Sequence, residues 1–302
     1  MFKRLLAVIP VVFGVLLLTF LLVHLIPGDP VEVMLGESAT SADRTQLRAD
    51  LGLDQSLPSQ FVSYIGKLAK GDFGRSIHSH APIFSLLAER IPATAKLALL
   101  ALFIALCMGL SLGILAALHH LRWPDRAATL ASLTLSAMPH FWLGPLLVLV
   151  FALWLGWLPV SGMEIGTSIL LPALTLACGL AAILTRMTRA SLLETLNEDF
   201  VRTARAKGLP ERLVVLRHAL KPALLPVLTV IGLQLGSLLA GAVITETVFG
   251  WEGIGRLLVE SIEKRDYPVT QACVLVIALT YVLVNLLTDL AYGQLDPRAR
   301  AT

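Results

Sequence analysis

The chain has 302 residues, 56% of them hydrophobic and 15% charged, with a net charge of +3 and a mean hydropathy of +0.78. A soluble domain carries about 25% charged residues, so this composition excludes an ordinary soluble enzyme, a disordered chain and a nucleic-acid binder. The small net charge supplies no basic patch by itself.

Six stretches free of charged residues make up about half the sequence: 5–28, 97–121, 127–163, 165–185, 222–245 and 267–288. A helix needs roughly 20 apolar residues to cross the hydrocarbon core. Backbone polar groups in lipid must be satisfied within the segment, so the pattern predicts an all-α polytopic membrane protein with six transmembrane helices. The first span, 1–28, opens Met1-Phe-Lys-Arg4 and ends at Pro27-Gly-Asp-Pro30. Its apolar run is too long for a signal peptide, and no small-x-small cleavage site follows. It is read as a retained helix.

An external loop and cap is expected over 29–96, with helical patterns at 43–51 and 59–70 broken by Gly52 and Gly71, and at 83–91 leading into the second span. Too few apolar residues are present there for a separate core. The third stretch contains Pro139, Pro145 and Pro159. It is expected to form one span followed by an interfacial segment at Trp154 and Trp157, since tryptophan favours the membrane boundary. Residues 97–302 form the expected five-helix core.

The inner loop at 186–221 holds eight Lys/Arg. Spacing places Phe200, Val201, Ala204 and Lys207 on one helix face. Arg205 and Lys207 suit a last turn, Gly208 a C′ position and Pro210 the first turn of a second helix. Leu213, Leu216 and Leu220 are expected to be that helix's apolar stripe. The result is a helix–Gly–helix elbow, which either lies on anionic lipid or docks in a groove of a cytoplasmic partner. With both termini on the same side as this loop, the inner segments carry 14 Lys/Arg against 6 Asp/Glu. The positive-inside rule places them in the cytoplasm.

At this loop the sequence resembles the membrane subunits of binding-protein-dependent ABC importers, in particular the dipeptide/oligopeptide/nickel permease family. The matching run is Asp199-Phe-Val-Arg-Thr-Ala-Arg-Ala-Lys-Gly-Leu209, then Arg217-His-Ala-Leu-Lys221. It is similar to the coupling-loop motif Glu-Ala-Ala-x-x-x-Gly. Gly208 stands at the glycine, Ala204 and Thr203 at the alanines, and Arg202 where the general motif has glutamate. Further similar runs are Ile26-Pro-Gly-Asp-Pro30, Leu51-Gly-Leu-Asp54, Gly71-Asp-Phe-Gly74, Glu246-Thr-Val-Phe249, Gly253-Ile-Gly255, Arg265-Asp-Tyr-Pro268, Asn285-Leu-Leu-Thr-Asp289 and Leu295-Asp-Pro-Arg298. Each is short; their order along the six spans makes the combination specific.

The resemblance implies a type I ABC importer permease fold in the bacterial inner membrane. It implies a second homologous permease, two cytoplasmic ATPase subunits and an external solute-binding protein as partners. Phe200, Val201, Arg202, Thr203, Ala204, Arg205, Lys207, Gly208 and Leu209 would form the ATPase-coupling loop. Small peptides or nickel chelates would be the cargo. The chain has no Gly-Lys-Ser/Thr tripeptide and so no P-loop. No cofactor is expected on it, and ATP and Mg would sit on the partner subunits.

Other features compete with that reading. Gly109-Leu-Ser-Leu-Gly113 matches a nucleophile pattern, which would make Ser111 an intramembrane serine hydrolase. Such a serine needs a base within reach, and the two glycines suit close helix packing. An ion-driven secondary transporter would want inverted repeats and embedded acids; Asp289 is the one acid noted near a span end. His78, His80, His119 and His120 are expected to be solvated loop residues. His140, Gln234, Ser237, Gly241 and Asn285 are candidates for the pore or a permease–permease interface. Cys107, Cys178 and Cys273 are expected to be small buried hydrophobes.

Overall fold

The computed structural model describes residues 2–25, 54–160 and 166–295, with single helical positions at 42, 45 and 48. The side chains described in the first and last helices are those of residues 8–21 and 267–288. The 43–51 helical pattern, the motifs at 26–30 and 51–53, the end of the Leu295-Asp-Pro-Arg298 run and the side chain of Asp289 lie outside the described residues.

Among the described residues every regular element is helical, apart from an isolated bridge between Arg75 and Pro82. In chain order they are α1 (Phe2–Leu25), α2 (Leu57–Ala69), α3 (Ile83–Leu118), α4 (Trp123–Ala137), α5 (His140–Trp154), α6 (Leu170–Leu196), α7 (Asp199–Ala206), α8 (Glu211–Phe249), α9 (Ile254–Glu263) and α10 (Tyr267–Leu295). By length and composition α3, α6, α8 and α10 can each cross a membrane, and α4 with α5 can serve as one broken span. The 24-residue α1 is long enough to be a further span.

The chain divides into two compact units. The first comprises residues 1–94 and 252–283. There Phe61 and Tyr64 of α2 meet Phe13 and Phe20 of α1, with ring centroids 5.3–5.9 Å apart. Ile83 and Leu87 pack with Ile254, Val269, Ala272 and Cys273. Asp266 is buried and ties the cap to the start of α10. Its Oδ2 accepts from Ser76 Oγ at 2.5 Å, and its Oδ1 from the backbone of Ile77 at 3.3 Å. His78 Nε2–H donates to the Lys264 carbonyl at 2.6 Å, so this loop histidine has a structural partner.

The second unit comprises residues 95–251 and 284–302. Its centre is α6, 67% of whose apolar window is inside the molecule, against 33% or less for the other spans. Small side chains permit this. Ala173, Ala177, Ala181 and Ala182 are all buried, and α4, α5 and α8 pack against the same helix. Gly109 and Gly113 bring α3 to it: a Cβ at either would stand 2.5–2.6 Å from Leu184 or Thr188.

Several expectations need correction. The third stretch is not one continuous helix. It breaks at Met138–Pro139 into α4 and α5, bent by 114°. Pro139 has φ −63° and ψ 143°; Met138, the residue before a proline, is extended at ψ 122°, the conformation proline imposes on its predecessor. Each leg has 15 residues, about 22 Å at 1.5 Å per residue, which is too short to cross alone. The fourth span continues as helix through Leu196, and the fifth begins at Glu211, so the inner connection is shorter than the 186–221 loop. Cys107 is exposed, not buried; Cys178 and Cys273 are buried, and all three are free.

Candidate coupling elbow and membrane cavity

The elbow is built from α7, a turn at Gly208 and the start of α8. Lys207 N–H donates to Thr203 O at 3.1 Å and Gly208 N–H to Arg205 O at 2.9 Å, closing the helix. Gly208 then takes φ +78°, a left-handed turn that glycine adopts without steric cost. Pro210 caps α8, with Leu213 N–H donating to its carbonyl at 2.8 Å. The Arg205 guanidinium spans the turn to Glu211 with two bonds of 2.7 and 3.1 Å, a bidentate clasp of the two helices. Arg202 reaches Asp199 one turn back, at 3.5 Å on an exposed surface.

Val201 and Ala204 point inward, onto a cluster with Leu192, Val214, Ala219, Ala223 and Ala117. Leu209 is partly buried against that cluster. Phe200 and Lys207 do not lie on that buried face. Phe200 is 45% exposed, and Lys207 is exposed with Arg202, Thr203, Arg205 and Gly208. On the second helix the stripe of Leu213, Leu216 and Leu220 is not the buried face. Leu213 and Leu216 are exposed, Leu220 is intermediate, and Val214, Val215 and Ala219 are buried instead. The cause is a π-helical turn over Val214–Ala219. Its wider turn aligns residues five apart, so Val214 and Ala219 share a face, and normal α-spacing then adds Ala223.

Just before the elbow, α6 is anchored to the start of α4. Arg189 Nη2 donates to Asp125 Oδ2 at 2.8 Å and its Nε donates to Oδ1. Leu121 N–H donates to the same carboxylate at 2.9 Å, and His120 lies 3.3 Å from it. Asp125 is 3% exposed at the loop end of α4. The Arg189 guanidinium above all holds its carboxyl well below the usual carboxylate range. In sequence both residues are simply two of the inner-segment charges.

The break between α4 and α5 leaves a cavity of 160 Å³ bounded by those helices, α6 and α8. It brings together three of the predicted pore candidates, His140, Gln234 and Ser237, and adds Ser136. The His140 ring packs closely beside two glycines. A Cβ on Gly179 would stand 3.1 Å from its Cε1, and one on Gly241 3.4 Å from its Cδ2. His140 Nδ1–H donates to the Thr175 carbonyl at 3.3 Å. Gly241 and Thr245 are thus buried within this chain. Asn285 does not line the cavity; it lies on α10, one turn before Thr288. There Gly232 of α8 comes so near that an added Cβ would be 1.8 Å from Thr288 Cγ2.

Glu246, read in sequence only as part of a motif, is fully buried near the end of α8, so Asp289 is not the only acid to weigh in the spans. Ser111 is bonded within its own helix, its hydroxyl donating to Cys107 O at 2.5 Å and Met108 O at 3.2 Å.

A family model described as the binding-protein-dependent transport system inner membrane component matches residues 109–301, and the N-terminal model of the same membrane component matches 1–98. The chain belongs to this family. It is 45% identical over 298 residues to the glutathione transport system permease protein GsiC of Escherichia coli strain K12, covering 99% of this chain and 97% of the relative. The same figures hold for the protein of that name from Pectobacterium atrosepticum. Among solved structures, the inward-facing MetNI methionine ABC transporter aligns with TM-score 0.60 at 16% identity, over 70% of this chain and 96% of that one. An amino acid ABC transporter aligns with TM-score 0.53 at 18% identity, over 71% and 94%. The fold is therefore that of an ABC transporter membrane subunit. The protein is a multi-pass inner membrane permease subunit of an ABC importer, and neither a hydrolase at Ser111 nor an ion-driven transporter is favoured.

Proposed function

We propose that this permease imports small peptides of the size of glutathione, delivered by an external solute-binding protein. A second homologous permease completes the pathway, and two cytoplasmic ATPase subunits, carrying ATP and Mg, drive it. The elbow at Phe200–Leu209 lies on the cytoplasmic side with both termini and transmits closure of the ATPase dimer to the spans. Substrate class is supported by the 45% identity to the glutathione permease.

The observation that carries the coupling role is the two-sidedness of the elbow. Val201 and Ala204 bind it to the bundle, while Phe200, Leu213 and Leu216 present apolar surface away from it. Movement imposed on the outer face is passed to α6 and α8 through a close-packed cluster, which shifts between discrete arrangements.

Because Phe200 and Leu213 are exposed, the double variant Phe200→Asp, Leu213→Asp should insert and fold normally. Reconstituted with its partners in proteoliposomes, it should lose at least about tenfold of glutathione or dialanine uptake. Peptide uptake at the unmodified rate would overturn the coupling role. Nickel–histidine uptake by the unmodified complex, with no peptide uptake, would reassign the substrate.

A further inference from the structure

The cavity at the helix break has a chemistry of its own. No Asp, Glu, Lys or Arg lines it; its polar groups are the imidazole of His140, the amide of Gln234 and the hydroxyls of Ser136 and Ser237, set among leucines, an isoleucine and a methionine. A carbonyl can only accept a hydrogen bond, so the contact with Thr175 places the His140 proton on Nδ1. In this Nδ1–H tautomer the ring's lone pair is on Nε2. The ring lies beside Gly179 of α6 and Gly241 of α8. Gln234 of α8 lines the same cavity and supplies an amide N–H donor. Its side chain has no hydrogen-bond partner among the described residues.

One acceptor and one donor lining a small uncharged space match a single peptide group, which carries one N–H and one carbonyl. A volume of 160 Å³ equals about five waters, so it holds one peptide unit and not a whole substrate. Charged termini would meet no countercharge there. Neutral contacts of this kind hold a moving solute weakly enough to release it, which transport requires.

We propose that this cavity is a transit subsite in the translocation path. It takes one peptide group of the cargo, the N–H on His140 Nε2 and the carbonyl on Gln234. The assignment rests on the peptide-import reading above. It makes His140 and Gln234 specificity-determining residues of the membrane subunit, apart from selection by the external binding protein.

The test uses the full complex in proteoliposomes with glutathione and dialanine as probes. His140→Phe fills the same space without an acceptor, and Gln234→Leu removes the donor. Each should lower the maximal uptake rate about tenfold, as expected for a polar partner left unmatched. Affinity of the separately purified external protein for either probe should not change. His140→Gln, which keeps an acceptor, should recover most of the rate. In a Ser237→Cys variant, either peptide should slow maleimide labelling during turnover.

Uptake at the unmodified rate by both His140→Phe and Gln234→Leu overturns the subsite. So does labelling of Ser237→Cys that ignores both peptides. If His140→Phe fails to assemble, Gln234→Leu decides alone. Failure of the unmodified complex to take up either peptide overturns the substrate reading, a result distinct from unmodified uptake by the variants.

Discussion

Replacing Arg189 with methionine should destabilise the bundle more than replacing the carboxylate it pairs with. Asp125 is 3% exposed and receives two bonds from Arg189, one from Leu121 N–H and a contact from His120. Arg189→Met keeps the side-chain volume but leaves a buried carboxylate with only the backbone bond and a half-exposed histidine. Removing one member of a buried pair costs about 3–5 kcal/mol. Asp125→Asn should cost less, about 1–2 kcal/mol. The amide still accepts from Leu121, and the freed guanidinium is already 27% exposed, so water solvates it. The double variant Asp125→Asn, Arg189→Met should recover much of the loss, because no buried charge is left behind. At about 2 °C per kcal/mol, Arg189→Met lowers the Tm of the purified complex by roughly 6–10 °C. The other two variants should fall between it and the unmodified protein. Thermal unfolding of all four proteins in one detergent gives the cycle. A Tm for Arg189→Met equal to or above that of Asp125→Asn would refute the argument that Asp125 is an obligatory partner of Arg189.

Two further outcomes follow from the helix contacts. Gly232→Ala should destabilise the chain by about 1–3 kcal/mol through overpacking against Thr288 Cγ2, and Thr288→Ser, which deletes that methyl, should restore it. Yield and thermal stability of the single and double variants measure this, and an absence of rescue would remove Thr288 as the cause. Ser111→Ala should leave peptide uptake unchanged and stability within about 0.5 kcal/mol, since its hydroxyl bonds only to carbonyls of its own helix. Loss of all activity in that variant would restore a nucleophilic role to the serine.

The sequence alone determined that the chain crosses a membrane repeatedly, where its apolar runs lie, that a helix–Gly–helix elbow separates two of them, and which family it resembles. These depend on local composition and on residues such as Gly208 and Pro210, whose backbone preferences act without neighbours. Only the tertiary structure decided which way the elbow faces. A π-turn at Val214–Ala219 shifts the register, so the exposed leucines are 213 and 216 and the buried contacts are two valines and alanines. A pattern read at 3.6 residues per turn has no means of seeing that shift. The prolines in the third stretch marked a disturbance, but whether Pro139 would kink one helix or separate two depended on what α6 and α8 could pack against. The same dependence hid the Asp125–Arg189 pair, 64 residues apart, and the cavity that His140 and Gln234 both line. Charges and polar groups distant in sequence acquire a partner only when the fold brings them together, and that long-range pairing separates a topology from a site.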